Sequence, residues 1–177
     1  MNGKKTENKD DDSFLEKLIN ISRVNKVVKG GKRLSFRSFV IVGDLAGQVG
    51  IGLGKSQEVP ISIRKAMEDG KKNLNQINII NGTIPHEVIG TFGASKVVLK
   101  PAKPGTGVIA GGAIRILLEA AGVKDIVSKS IGAGNSLNAV RAALSGLKML
   151  KSYDHECERR GKKLPVYFKS DNSGESQ

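Results

Sequence analysis

From Gln48 to Lys55, apolar residues and glycines alternate: Val49, Ile51 and Leu53 on one parity, Gly50, Gly52 and Gly54 on the other. A period of two is the mark of a strand, and this strand has one apolar face and one bare face. Upstream, Ile21, Arg23, Asn25 and Val27 predict a strand running into the turn Lys29-Gly30-Gly31-Lys32-Arg33. Leu34, Phe36 and then Phe39-Val40-Ile41-Val42 predict the next strand, and Gly43-Asp44-Leu45-Ala46-Gly47 the turn before the alternating one. The three form an antiparallel meander. The period then changes. Val59, Ile63, Ala66, Met67 and Leu74 recur at helical spacing, and Pro60 suits a first helical turn. A helix laid on the sheet follows. The bare glycine face has two readings. Without side chains it admits close approach of a sugar-phosphate chain or another backbone, or it accommodates the packing of a neighbouring strand.

From Asn75 onward a second block begins. An Asn81-Gly82 turn precedes strand-like runs at about 86–92 and 95–101. Gly105, Gly107, Gly111 and Gly112 lead into a helix with Ile114, Leu117, Leu118 and Ala121 on one side, and Gly122 suits its C-cap. A strand near 125–131 and a glycine loop precede a helix that buries Leu137, Val140, Leu144 and Leu147. The pattern β-β-α-β-α makes a small α/β layer. The fold class is α+β: a three-stranded antiparallel sheet plus helix over 13–76, then an α/β domain over 77–151. Residues 1–12 read as a disordered N-terminal tail, and 152–177 as a C-terminal extension that is disordered over 170–177.

Charge changes the picture most. The chain carries 29 Lys and Arg against 17 Asp and Glu, a net +12. Residues 13–75 hold 12 basic and 5 acidic groups, and residues 76–150 hold 8 and 3, so the excess sits in the ordered middle. A basic folded body points to a polyanion, most often nucleic acid. With five Phe, two Tyr and no Trp, backbone and shape contacts suit it better than base stacking on aromatic platforms. Arg64 and Lys65 recur as Lys71 and Lys72, which predicts a basic outward stripe on the helix. Three strands, a helix and a basic turn match the plan of double-stranded RNA binders.

Other chemistry finds little support. Gly54-Lys55-Ser56 ends like a phosphate-binding loop, but the leading glycine of that motif would fall at Val49. Gly132-Ala133-Gly134 lacks the third glycine of a dinucleotide fingerprint, since Leu137 stands there. The glycine loops at 105–112 and 132–134, each leading into a helix, read as tight turns touching RNA phosphate, with Lys100, Lys103, Arg115 and Lys129 nearby. Glu119 follows Arg115 by four, an ordinary helix pair. Ser56, Ser130 and Ser136 sit in no nucleophile elbow. His155-Glu156-Cys157 reads as a solvated helix end rather than a metal site. The reading is no enzyme, no cofactor and no metal. One cysteine forbids an internal disulfide and fits a reducing cytosolic setting. No apolar run approaches the ~20 residues of a membrane span, and MNGKKTENKDDD has no secretory h-region.

VNKVVKGGKRLSF (24–36), VGDLAGQVGIGLGKSQEVPISIRKAME (42–68), NGTIPHEV (81–88) and KPGTGVIAGGAIRILLEAAGVKDIVSKSIGAGNSLNAVRAAL (103–144) resemble, in order, the bacterial-type family of small-subunit ribosomal protein S-five. The resemblance spans about residues 14–150; Lys32 stands where arginine is frequent and Leu53 where an aromatic is frequent. It implies a double-stranded-RNA-binder-like N-terminal domain and a C-terminal α/β domain. It also implies binding to small-subunit rRNA and a role in subunit assembly. Ribosomal proteins S-four and S-eight are the implied neighbours, with S-three near the mRNA entrance, where mRNA is unwound. The S-four contact would influence decoding accuracy, and the loop matching Val24–Phe36 would approach the spectinomycin region. By the motif match, Lys26, Lys29, Gly30, Gly31, Lys32 and Arg33 are the first expected RNA contacts, and Lys55, Arg64, Lys65, Lys71 and Lys72 the second. Gly52→Val is expected to impair subunit assembly while the domain still folds. Two rival readings stay open: a free-standing RNA-binding or chaperone module, and a nucleotide hydrolase whose nucleotide binding Lys55→Ala would abolish.

Overall fold

The computed structural model describes residues 14–161. The disorder expected at 1–12 and 170–177, and the leader-free reading of the N-terminus, lie outside the described residues. β1 (Leu15–Val28), β2 (Gly31–Gly43), β3 (Gln48–Ser56) and β4 (Leu74–Gln76) form an antiparallel sheet in that order, with α1 (Val59–Lys72) between β3 and β4. A second sheet follows, built from β5 (Val88–Phe92), β6 (Ser95–Pro101), β7 (Val108–Ile109) and β8 (Ile126–Gly132) in the order β5-β6-β8-β7. Its helices are α2 (Gly112–Ala121) and α3 (Ser136–Lys148), and α4 (Tyr153–Arg160) ends the described chain. The expected α+β architecture is present.

Three differences have local causes. β1 begins at Leu15 rather than near Ile21, because a register shift between Leu18 and Asn20 breaks the alternation that would have revealed its first half. α1 ends at Lys72, so Leu74 belongs to β4 and not to the helix face. β4 and β7 have three and two residues, too few to carry any period.

The run of four consecutive apolar residues in β2, Phe39 to Val42, is explained by cover on both faces. Phe39 and Ile41 join the main core with Leu117, Leu118 and Val140, while Val40 and Val42 pack with Ala66 of α1. The core is therefore continuous across the two blocks. The turn after β2 docks on the end of α2, where Leu45 N–H donates to Ala120 O (3.1 Å) and Gly47 N–H to Ala121 O (3.0 Å). Gly122 caps α2 in the left-handed region at φ 88°, as its glycine foretold.

The bare face of β3 is not open. A Cβ built on Gly50, Gly52 or Gly54 would overlap the carbonyl oxygen of Gly70, Ala66 or Ser62 respectively. Four helical residues rise about 6.0 Å and two strand residues about 6.6 Å. Glycines at every second strand position thus meet small residues at every fourth helix position, and α1 lies with its backbone directly on β3. Ser62 Oγ also meets Ser38 Oγ at 2.6 Å, and Asp69 Oδ2 accepts from Leu53 N–H at 2.9 Å. The reading of this face as an RNA approach is corrected, as is its corollary that Gly52→Val leaves the domain folded.

One ion cluster ties the blocks together. Glu119 takes Arg115 Nε at 2.8 Å and Lys17 Nζ from β1 at 3.4 Å. The Arg115 hydrogen bond, aided by Lys17, holds its carboxyl below the usual value against the opposing effect of burial. A depressed folded pKa gives stability above the unfolded value that is lost as pH falls through the folded one. At pH 7 the wild type should therefore melt about 2 °C above Glu119→Gln, as expected for a partly exposed cluster worth under ~1 kcal/mol. Melting curves should show that gap closing below about pH 4; a gap independent of pH would assign it to packing.

Candidate nucleic-acid interface

β3 pairs with β2 only from Phe36 to Gly43. Beyond Phe36 the β1–β2 hairpin continues alone, from Arg23↔Phe36 to Val28↔Gly31, closed by Lys29-Gly30. Gly30 takes φ 92°, a left-handed value that suits glycine. Between Lys17 and Gly43 the chain has no acidic residue, while it carries Lys17, Arg23, Lys26, Lys29, Lys32, Arg33 and Arg37. Lys26, Lys29, Gly30, Gly31, Lys32 and Arg33 are all exposed on this arm.

The register adds what the sequence could not. Lys26 stands directly opposite Arg33, and Arg37 directly opposite Lys55. Arg33 and Arg37 share a parity along β2, so both like-charge pairs lie on one face of the hairpin. Arg37 was absent from the sequence-based set. Its only sequence signal is its spacing of four from Arg33. The opposite face alternates Arg23 and Lys32 with the exposed Val27 and Leu34.

The α1 stripe is weaker than its sequence suggests. Arg64, Lys65 and Lys72 are exposed, but the exposed Glu68 lies among them and Lys71 is half-buried with Nζ 3.2 Å from Glu16 Oε1. In the C-terminal block Lys100 pairs with Glu87 at 3.4 Å and Arg115 with Glu119, as expected for the latter, while Lys103 and Lys129 are exposed. The cations of α4 are also engaged. Buried Glu156 draws in Lys151, Arg159 and Arg160 at 3.3, 3.0 and 3.0 Å. Burial pushes its carboxyl up, and Lys151, Arg159 and Arg160 reverse this and leave it below the usual value.

Among the described residues, no group of three His, Cys, Asp or Glu side chains is placed to hold a metal ion. No helix there is long and apolar enough to cross a membrane. Lys55 and Ser56 lie on β3, a strand, not in a phosphate-binding loop.

Comparison with known proteins matches both halves of the chain. The family model described as Ribosomal protein S5, N-terminal domain, matches residues 14–78, and that described as Ribosomal protein S5, C-terminal domain, matches residues 90–160. A protein of Lawsonia intracellularis (strain PHE/MN1-00), named small ribosomal subunit protein uS5, is 52% identical over 151 residues, covering 85% of this chain and 93% of the relative. Its namesake from Syntrophobacter fumaroxidans (strain DSM 10017 / MPOB) is 52% identical over 85% of this chain and 91% of its own length. With both halves matched, and in order, the chain belongs to the ribosomal protein S5 family.

Proposed function

We propose that this chain is a structural constituent of the small ribosomal subunit, not an enzyme, and that it grips small-subunit rRNA through the β1–β2 arm. The observation that carries this reading is the pair Lys26 and Arg33, held directly opposite each other on an arm without carboxylates. Like charges in that position destabilise a free protein. A duplex backbone turns the penalty into attraction and fixes position without reading sequence. Lys29, Lys32 and the Gly30-Gly31 turn extend the contact at the tip; Lys55, Arg64, Lys65, Lys71 and Lys72 supply a second group beside it. With a domain division at about residue 76, the arm belongs to the N-terminal domain.

The finer roles follow from family membership. Neighbours would be ribosomal proteins S-four and S-eight, with S-three at the mRNA entrance, where the protein would help unwind mRNA. The S-four contact would bear on decoding accuracy, and changes within Val24–Phe36 on spectinomycin sensitivity. Sedimentation of a cell extract with the tagged chain tests the core of the reading. Stoichiometric co-migration with the small subunit, surviving a moderate salt wash, is expected. Protein remaining in the light fractions would favour a free-standing RNA-binding module.

A further inference from the structure

α3 and the N-terminal sheet are separated by a seam of unequal width. Near the base of the arm it is narrow, about 40 Å³, between Arg37, Phe39, Leu53, Asn135, Ser136 and Leu137. Farther on it opens to about 400 Å³ between Ile51, Leu53, Lys72, Arg141, Leu144 and Lys148. Leu53 borders both parts. Along α3, Leu137, Arg141, Leu144 and Lys148 recur at helical spacing and share a face. Along β3, Ile51, Leu53 and Lys55 share a face by alternation. The rise of α3 from Leu137 to Lys148 makes the seam about 16 Å long.

Its chemistry is consistent along that length. Ile51, Leu53 and Leu144 supply its apolar patches, among polar groups that include Asn73 and Asn75. Arg37 and Lys55 stand at the narrow end, and Lys72, Arg141 and Lys148 at the wide end. The Arg141 guanidinium lies over the Phe92 ring, 5.2 Å from its centroid, which fixes it at the rim. One carboxylate, Asp69, lines the seam, and its oxygens already accept from Leu53 N–H (2.9 Å) and Asn73 Nδ2 (3.1 Å). The narrow end begins at Arg37, a member of the paired basic face of the hairpin.

We propose that the seam holds a single strand of RNA leaving the duplex that the arm grips, with phosphates on these cations and a base over the apolar patches. This rests on the RNA-binding reading above. The wide part, at about 400 Å³, admits a nucleotide and excludes a duplex, and the strand would cross the narrow end on its surface, past Arg37. Among the described residues, no aromatic ring lines the seam beyond Phe39 at its narrow end, so the hold is chiefly electrostatic and indifferent to sequence.

The test uses the full chain and an RNA hairpin of about 16 base pairs, either blunt or with a single-stranded extension of about eight nucleotides. The extension should tighten binding about tenfold or more and steepen the salt dependence by about 2 in the log–log slope. The double variant Arg141→Gln, Lys148→Ala should lose both gains and bind the blunt hairpin as the wild type does. Lys148→Ala alone, at an exposed helix end, should lose part of the gain, which separates the effect from misfolding. A wild type that gains nothing from the extension, or a gain that survives in both variants, overturns the seam proposal. Failure of the wild type to bind even the blunt hairpin would overturn the RNA-binding reading itself.

Discussion

Gly52→Val should unfold the N-terminal sheet, not merely spoil a surface. The new side chain would begin with a Cβ overlapping Ala66 O and crowding Gly70 N. Both neighbours are helix backbone, which cannot swing aside as a flexible side chain does. α1 would have to lift off β3, opening the contact of Val40 and Val42 with Ala66 and separating Asp69 from the Leu53 amide. Overpacking of ordinary cores costs about 1–3 kcal/mol; against rigid backbone the cost should exceed about 3 kcal/mol. That is a large share of a typical stability of roughly 5–15 kcal/mol. Thermal melts should show a midpoint lowered by about 10 °C or more. Gly134→Ala is the control, because a Cβ there meets open space, and it should melt within about 2 °C of the wild type. If Gly52→Val matched that control, α1 would not rest on the glycine face in solution.

The same glycines show what the sequence could and could not reveal. Strict alternation made β3 legible, and the helical runs around Leu117 and Val140 made α2 and α3 legible, with Gly122 marking an end. What covers a bare face is a tertiary question. The answer was written elsewhere in the chain, as Ser62, Ala66 and Gly70 at every fourth position. A reading that sought apolar residues found Ala66 but passed over Ser62 and Gly70. The candidate interface divides the same way. Turn chemistry and cation density exposed the tip of the arm, from Lys29 to Arg33. Cross-strand register is not a property of one strand's sequence, so the opposition of Lys26 to Arg33, and the place of Arg37, emerged only from pairing. Neutralisation is equally long-range: Lys71 meets Glu16 from a distant strand, which no count along α1 anticipates.

Lys26→Glu should separate stability from binding. In the wild type Lys26 faces Arg33 with no carboxylate on the arm. The change turns a like-charge pair into an opposite one. Cross-strand pairs are worth about 0.2–1 kcal/mol, and both residues are exposed, so solvent holds the gain to about 0.5 kcal/mol. The free protein should melt slightly higher. Its affinity for duplex RNA should fall about 10- to 100-fold, because one phosphate contact is lost and a repulsion added, and the salt slope should flatten by about 2. Arg33→Glu should behave alike. The double variant restores a like-charge pair, now negative: its stability should return to the wild-type value while its binding falls furthest. Such a cycle isolates the coupling between the two residues, and no purely structural role for them yields opposite signs in melting and in binding. If either single variant lost stability, or bound RNA as tightly as the wild type, the cations would be holding the hairpin rather than a polyanion. The arm would then differ little from any other exposed ribbon. The expected result instead has the protein keeping a small electrostatic strain in its free state that is relieved on RNA.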